Sequence, residues 1–288
     1  MTRRILMAAG ILFVAAGVGT AAAPVAHADD WSKTYAISGR ADLHVQTDDG
    51  DVTITSADQK EIVAHVITSR YKIGDDGVRI EESQSGDTVN IRVRMPHFSF
   101  GLWGHSGSVR VELRVPTSLN LDVNTGDGNV NAQPVSGNLR ITTGDGNINA
   151  TGLKGDLYMH SGDGHIEASD LDGALKVDTG DGHVTVGGRF DALDLHTGDG
   201  NIEASALNGS KVANMWTLHS GDGHINLRVP GDLRADLEAH TGDGSITVNM
   251  DIMVSGSLNH SSIHGKLNGG GGLLRLTSGD GSIHVEKL

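Results

Sequence analysis

Asp127, Asp145, Asp163, Asp181, Asp199, Asp222, Asp243 and Asp280 each sit between two glycines in a Thr/Ser-Gly-Asp-Gly tetrapeptide, and "TDDGDV" at residue 47 is a looser copy. A row of carboxylates could hold a hard cation such as Ca²⁺ through oxygen ligands. Alternatively, each carboxylate could accept backbone N–H groups inside its own turn while the flanking glycines adopt φ > 0. The second role is the one expected. Calcium-binding solenoids of the RTX type repeat G-G-x-G-x-D-x-U-x in both halves of a coil, whereas here the other half carries "LKGDL" or "LDGAL". No cofactor is therefore expected, and Ca²⁺ is kept as the alternative.

Imidazoles are the second chemical resource. His160, His165, His183, His196, His219, His224 and His240 flank the turns, out of 15 histidines in all. Zinc or copper would suit such ligands. But Asn129, Asn147 and Asn201 occupy the same offset as His165, and a zinc site needs three or four converging ligands. Solvated histidines that add charge below pH ~6.5 are expected instead.

A third resource is aromatic. "MPHFSFGLWGHSG", residues 95–107, holds Phe98, Phe100 and Trp103 in a chain with only 3% aromatics. They read either as a plug over the end of an aliphatic core or as an exposed ligand-contact loop, since such side chains dominate recognition surfaces. Catalytic signatures are missing: there is no Ser-His-Asp, H-E-x-x-H or phosphate-loop pattern in usable context. A polysaccharide-active parallel β-helix enzyme would need paired carboxylates in a cleft. Only the longer inserts at 206–216 and 268–274 could wall one.

The elements that carry these residues follow from the spacing. The turn recurs every 18 residues from 125 to 197, then after 23, 21 and 37. Tandem repetition at a fixed period signals a solenoid or array. Ile148, Ala150, Leu153, Leu157 and Met159 recur as Ile166, Ala168, Leu171, Leu175 and Val177. The alternation on either side of each turn is that of strands with one buried face. An antiparallel meander shares this pattern, yet it would leave one apolar face bare and strand Leu153, Leu171 and Leu207 in loops. The spacing therefore predicts an all-β, single-stranded β-helix-like solenoid of about nine rungs, roughly 43 Å long at ~4.8 Å per rung. "LNHSSIHGKL" at 258–267 reads as a degraded copy within the 37-residue interval. Ladders of outward Thr, as in ice binding, are not expected, because the turn Thr or Ser shares strand parity with Ile141 and faces inward.

Residues 31–116 alternate without the 18-residue clock and predict an antiparallel β cap over the first rung, since a bare solenoid end is an aggregation-prone edge. Ahead of it, Arg3 and Arg4, an apolar run from Ile5 to Val18 and "AHA" before Asp29 predict a signal peptide over 1–28. The expected organisation is a signal peptide at 1–28, an N-terminal β segment at 29–116 and a repeat region at 117–288, with 31–288 forming one continuous domain. Loss of the leader removes two arginines and no carboxylates, so the net charge would move from −14 to −16. Such acidity excludes nucleic acid as a partner.

The strand "VELRVP" ending at Pro116, the following "LNLDVNTGDGNV" and the tandem L-x-L-x-T-G-D-G-x-I-x-A pattern resemble a bacterial candidate-adhesin family of β-strand-repeat domains. The resemblance covers about residues 40–288. It implies a solenoid-like β fold in a cell-envelope or secreted protein and supplies no catalytic residues. The function expected is thus a non-catalytic, adhesin-like structural or binding module that is exported to the periplasm, cell surface or medium. It would display a repeated acidic surface to an envelope glycan or surface protein.

Overall fold

The computed structural model describes residues 28–96, 107–254 and 260–288. The predicted signal peptide, apart from Ala28, and the aromatic residues Phe98, Phe100 and Trp103 lie outside these.

Val, Ile, Thr and Leu alternating with polar residues favour a pleated, half-buried backbone, and every regular element among the described residues is a strand. The leading part contains β1 (Ala28–Ala36), β2 (Ala41–Thr47), β3 (Asp51–Ala57), β4 (Glu61–Ser69), β5 (Arg79–Ser85), β6 (Thr88–Arg94) and β7 (Ser108–Pro116). The regular part follows with β8 (Leu119–Thr125), β9 (Val130–Ala132), β10 (Ser136–Thr143), β11 (Ile148–Thr151), β12 (Lys154–Ser161), β13 (Ile166–Thr179), β14 (Val184–Thr197) and β15 (Ile202–Ala206). The trailing part holds β16 (Met215–Ser220), β17 (Ile225–Val229), β18 (Ala235–Thr241), β19 (Ile246–Asn249), β20 (Ile252–Val254), β21 (Ser262–Leu267), β22 (Gly272–Ser278) and β23 (Ile283–Lys287).

Pairing in the regular part is parallel, and the partner in the next coil lies 18 residues away except across a short register shift between β13 and β14. Leu139 of β10 stands between Leu121 and Leu157, and Ile148 of β11 stands between Val130 and Ile166. Each coil therefore contributes one strand to each of two stacked faces, and the Gly-Asp-Gly corner joins them. One face runs β2, β8, β10, β12 and the second halves of β13 and β14. The other runs β3, β9, β11 and their first halves. This is a β-solenoid-like architecture. The ten apolar residues singled out by the repeat, Ile148 to Met159 and Ile166 to Val177, are all buried.

Leu207 departs from its expected inward position and is 43% exposed. The insert after β15 carries it outward, while Ala206 and Val212 fill the interior. Ser210 Oγ accepts the Phe190 N–H at 3.0 Å, which ties the insert down. Trp216 is fully buried with its ring edge-on to Phe190, centroids 6.4 Å apart.

Both ends of the stack depart from chain order. β2 lies between β6 and β8, and β3 between β7 and β9, so the coil spanning 41–57 is interior and the later one spanning 88–116 lies outside it. At the other end β22 separates β16 from β18 and β23 separates β17 from β19, so the last coil in sequence is inserted before the preceding one. The expected antiparallel start is confined to β1, β4 and β5, while β2, β3, β6 and β7 carry parallel pairings within the stack. Residues 262–267, expected as a degraded rung, instead form β21, which runs antiparallel to β18 and β20 over the far end. The leading end thus closes on antiparallel strands on both faces and the far end on the face of β18, which covers those edges.

Candidate functional site

The corner is held from inside, and the group that holds it is the Thr or Ser hydroxyl. Strand parity turns Thr143 into the core, where it is 1% exposed. Its Oγ1 accepts the N–H of Gly146 at 3.2 Å and donates to the Gly128 carbonyl of the neighbouring coil at 2.8 Å. Ser161, Thr197 and Ser220 repeat the pattern, donating to Gly146, Gly182 and Gly200. At the far end Ser278 donates to Gly223 and Thr241 to Gly281, which follows the spatial order of coils and not the chain order. Each hydroxyl satisfies a buried donor and a buried acceptor that would otherwise cost about 1–3 kcal/mol apiece.

The second corner glycine is required by crowding. A Cβ on Gly146 would collide with the Gly128 carbonyl oxygen. The expectation that the corner glycines take φ > 0 is corrected, because neither Gly144 nor Gly146 lies in the left-handed region.

The aspartates stand outside this framework. Asp127, Asp145, Asp163, Asp181, Asp199, Asp222, Asp243 and Asp280 are all exposed. Hydrogen bonding within the corner runs through the hydroxyls and not through these carboxylates, so their expected bracing role passes to Thr and Ser. Among the described residues no group of three or more His, Asp or Glu side chains converges as a metal site.

The residue after each corner forms a second ladder that sequence reasoning missed. Asn129 N–H donates to Asp51 Oδ1, Asn147 to Asn129 Oδ1, His165 to Asn147 Oδ1, His183 to His165 Nδ1, and Asn201 to His183 Nδ1, all at 2.8–3.0 Å. It continues through His224 and Ser282 to Ser245. His165 and His183 stack with centroids 5.0 Å apart. Asn, His, Asp and Ser share one property here, an acceptor atom one or two bonds beyond Cβ, and that common property was the available signal. Because each Nδ1 accepts, these imidazoles carry their proton on Nε2.

On the opposite side of the corner, His196 Nδ1 lies 3.3 Å from Asp178 and its ring stacks on His219 at 5.0 Å. Burial, and then the neighbouring His196, hold the His219 pKa below its ordinary value.

A concavity lies near the leading end. β5 extends the first face beyond β6, so two rows of outward side chains cross β5, β6, β2, β8 and, through Arg140, β10. One row is Glu81, Arg92, Gln46 and Asn124; the other is Ser83, Asn90, His44, Asp122 and Arg140. They line a groove of about 560 Å³. Arg92 Nε and Nη2 donate to Gln46 Oε1 at 3.0 and 2.6 Å, and His44 sits 3.5 Å from both Asp42 and Asp122. Glu82, on the rim, engages Lys33 at 2.5 Å and Tyr35 Oη at 3.4 Å. Burial, and then the Glu82 charge, hold the Tyr35 phenol well above its ordinary pKa, so it donates as a neutral hydroxyl. The Arg140 guanidinium lies over the Tyr158 ring, 4.3 Å from its centroid.

The family model Toastrack DUF4097 matches residues 41–286. The chain belongs to that family. The matched span of this Toastrack DUF4097 protein includes the corner ladders and the groove. Solved structures to which the chain shows some likeness include a candidate cell adhesion protein from Clostridium sporogenes (12% identity, 90% of this chain and 100% of that one, TM-score 0.31). A candidate adhesin from Bacteroides fragilis is 9% identical, covering 90% and 97% of the two chains with a TM-score of 0.41. A candidate lipid-binding protein from Parabacteroides distasonis is 13% identical, covering 89% and 96%, with a TM-score of 0.43. Likeness at this level bears no functional weight. No curated protein matches the chain.

Proposed function

We propose that this Toastrack DUF4097 protein is an exported, non-catalytic binding module of the cell surface, adhesin-like in presenting a rigid repeated surface to an envelope glycan or surface protein. The observation that carries this reading is the division of labour at the corner. Buried hydroxyls hold the bend, so the exposed aspartates are left to face solvent as an acidic ridge. The proposed organisation is a signal peptide over 1–28, a leading β segment over 29–116 and a repeat region over 117–288, with 31–288 as one domain. In its finer description the fold is a single-stranded β-helix whose Thr/Ser-Gly-Asp-Gly corner sets one bend per rung. Phe98, Phe100 and Trp103 are proposed as a ligand-contact loop.

The test is a binding screen of glycans and envelope proteins with the full chain and Trp103→Ala side by side. Binding by the wild type supports the module, and its loss in the variant places contact at the aromatic loop. Hydrolysis of any polysaccharide in the screen would overturn the non-catalytic reading.

A further inference from the structure

We propose that the groove crossing β5, β6, β2, β8 and β10 is a saccharide-binding site whose ligand is an uncharged, hydroxyl-rich oligosaccharide laid across the strands. The inference rests on the binding-module reading and adds to it a ligand class and a surface.

The floor is built from planar hydrogen-bonding groups. Gln46, Asn90 and Asn124 offer amides, Arg92 and Arg140 guanidinium forks, and Glu81 and Asp122 carboxylates, all from outward positions of adjacent strands. Amides, forks and carboxylates each present two polar atoms side by side, the spacing at which vicinal hydroxyls of a sugar ring donate and accept in pairs. Five strands at ~4.8 Å make a floor roughly 19 Å long, which suits a chain of rings better than a single small molecule. The volume falls within the ~300–1,000 Å³ typical of ligand sites.

The groups are partly fixed and partly free. The fork of Arg92 holds Gln46 Oε1 and so turns the Gln46 amide nitrogen away from it. Asn90 Nδ2 reaches Ser83 Oγ at 3.4 Å, which leaves its carbonyl oxygen to accept. Tyr158 positions Arg140 by its ring face, and among the described residues Arg140 has no ion-pair partner and Asn124 no side-chain hydrogen bond. Arg140 therefore keeps its donors, and Asn124 both donors and acceptor, for a ligand.

Other ligand classes fit poorly. Val45 and Ile91 line the groove but their side chains are buried, so a lipid tail meets no apolar side chain there. A polyanion would meet Glu81, Glu82 and Asp122 on a chain of net charge −14, and a cation would meet Arg92 and Arg140. An uncharged polyol pairs with both kinds of group.

The experiment is an array of neutral and charged oligosaccharides probed with the full chain, Arg140→Ala, Asn124→Ala and Trp103→Ala. Titration of the best-bound neutral oligosaccharide then gives Kd, and thermal melting of each variant monitors folding. The expected result is binding of neutral oligosaccharides by the wild type. Arg140→Ala and Asn124→Ala should each weaken it about tenfold, the scale of one lost hydrogen bond to a fixed group, with melting unchanged. Equal affinity in wild type, Arg140→Ala and Asn124→Ala would overturn the groove while leaving the module intact, and so would binding confined to charged glycans or to envelope proteins. Absence of any binding, to glycans or to envelope proteins, would sink both readings.

Discussion

Nδ1 of His183 accepts the backbone N–H of Asn201 at 3.0 Å, doing for its neighbour what Oδ1 of Asn201 does for His224 at 2.8 Å. Imidazole and amide are thus interchangeable as acceptors in this ladder. His165 and His224 sit in the same position, toward His183 and Ser282. His219, stacked on His196 outside that ladder, has its pKa held down by burial and then by His196, so the unfolded chain binds the proton more readily and its contribution to stability is complete above pH ~6.5 and is lost as pH falls below that. Melting temperature should therefore fall from pH 7.5 to pH 5. The variant His219→Gln should show a shallower decline, and a decline as steep as wild type would remove His219 as its source.

Insertion of the last coil between its predecessors makes a second prediction. A chain ending at Gly271 loses β22 and β23, which are the parallel partners of β16, β17, β18 and β19. Hydrogen exchange should then show lost protection across residues 235–249 while 136–206 stays protected. In a stack built in chain order, residues 235–249 would stay protected too.

Trp216 occupies the core position held by Leu193 and Leu274 in the adjoining coils. Trp216→Ala should cost about 3–5 kcal/mol through the cavity it leaves. Trp216→Leu should cost less, since the leucine matches its neighbours and removes an indole N–H that is buried without a partner. Chemical denaturation of the two variants checks the order.

Carboxylates on neighbouring coils, ~4.8 Å apart, repel by roughly 0.9 kcal/mol even at the dielectric of water. With no convergent set of metal ligands among the described residues, Ca²⁺ and NaCl at matched ionic strength should raise the melting temperature alike, by screening. A shift of several degrees specific to Ca²⁺ would show that the ridge holds the ion.

Much of the fold was legible because the 18-residue period and strand alternation both act locally. They placed Ile148, Leu153 and Val177 inside and turned Thr143 and Ser161 inward. The order of coils at the ends was not legible. Thr47 and Ser278 carry the same corner chemistry as Thr143, and nothing in a repeat says which free edge it will join once long connections let the chain double back. Sequence alone points to Asp145 as the brace because aspartate in a turn ordinarily accepts N–H groups. Here the buried hydroxyl reaches the same donor first. The groove joins strands from residues 44 to 140 that only the out-of-order stacking brings together.

The division of labour at the corner is tested most directly by comparing the melting of two triple variants. Thr143→Val, Ser161→Ala, Thr179→Val removes three buried hydroxyls. Asp145→Asn, Asp163→Asn, Asp181→Asn neutralises three exposed carboxylates without changing their shape. The account predicts a loss of several kcal/mol for the hydroxyl variant and an unchanged or higher melting temperature for the aspartate variant. A large loss on neutralising the aspartates, with little change on removing the hydroxyls, would contradict it.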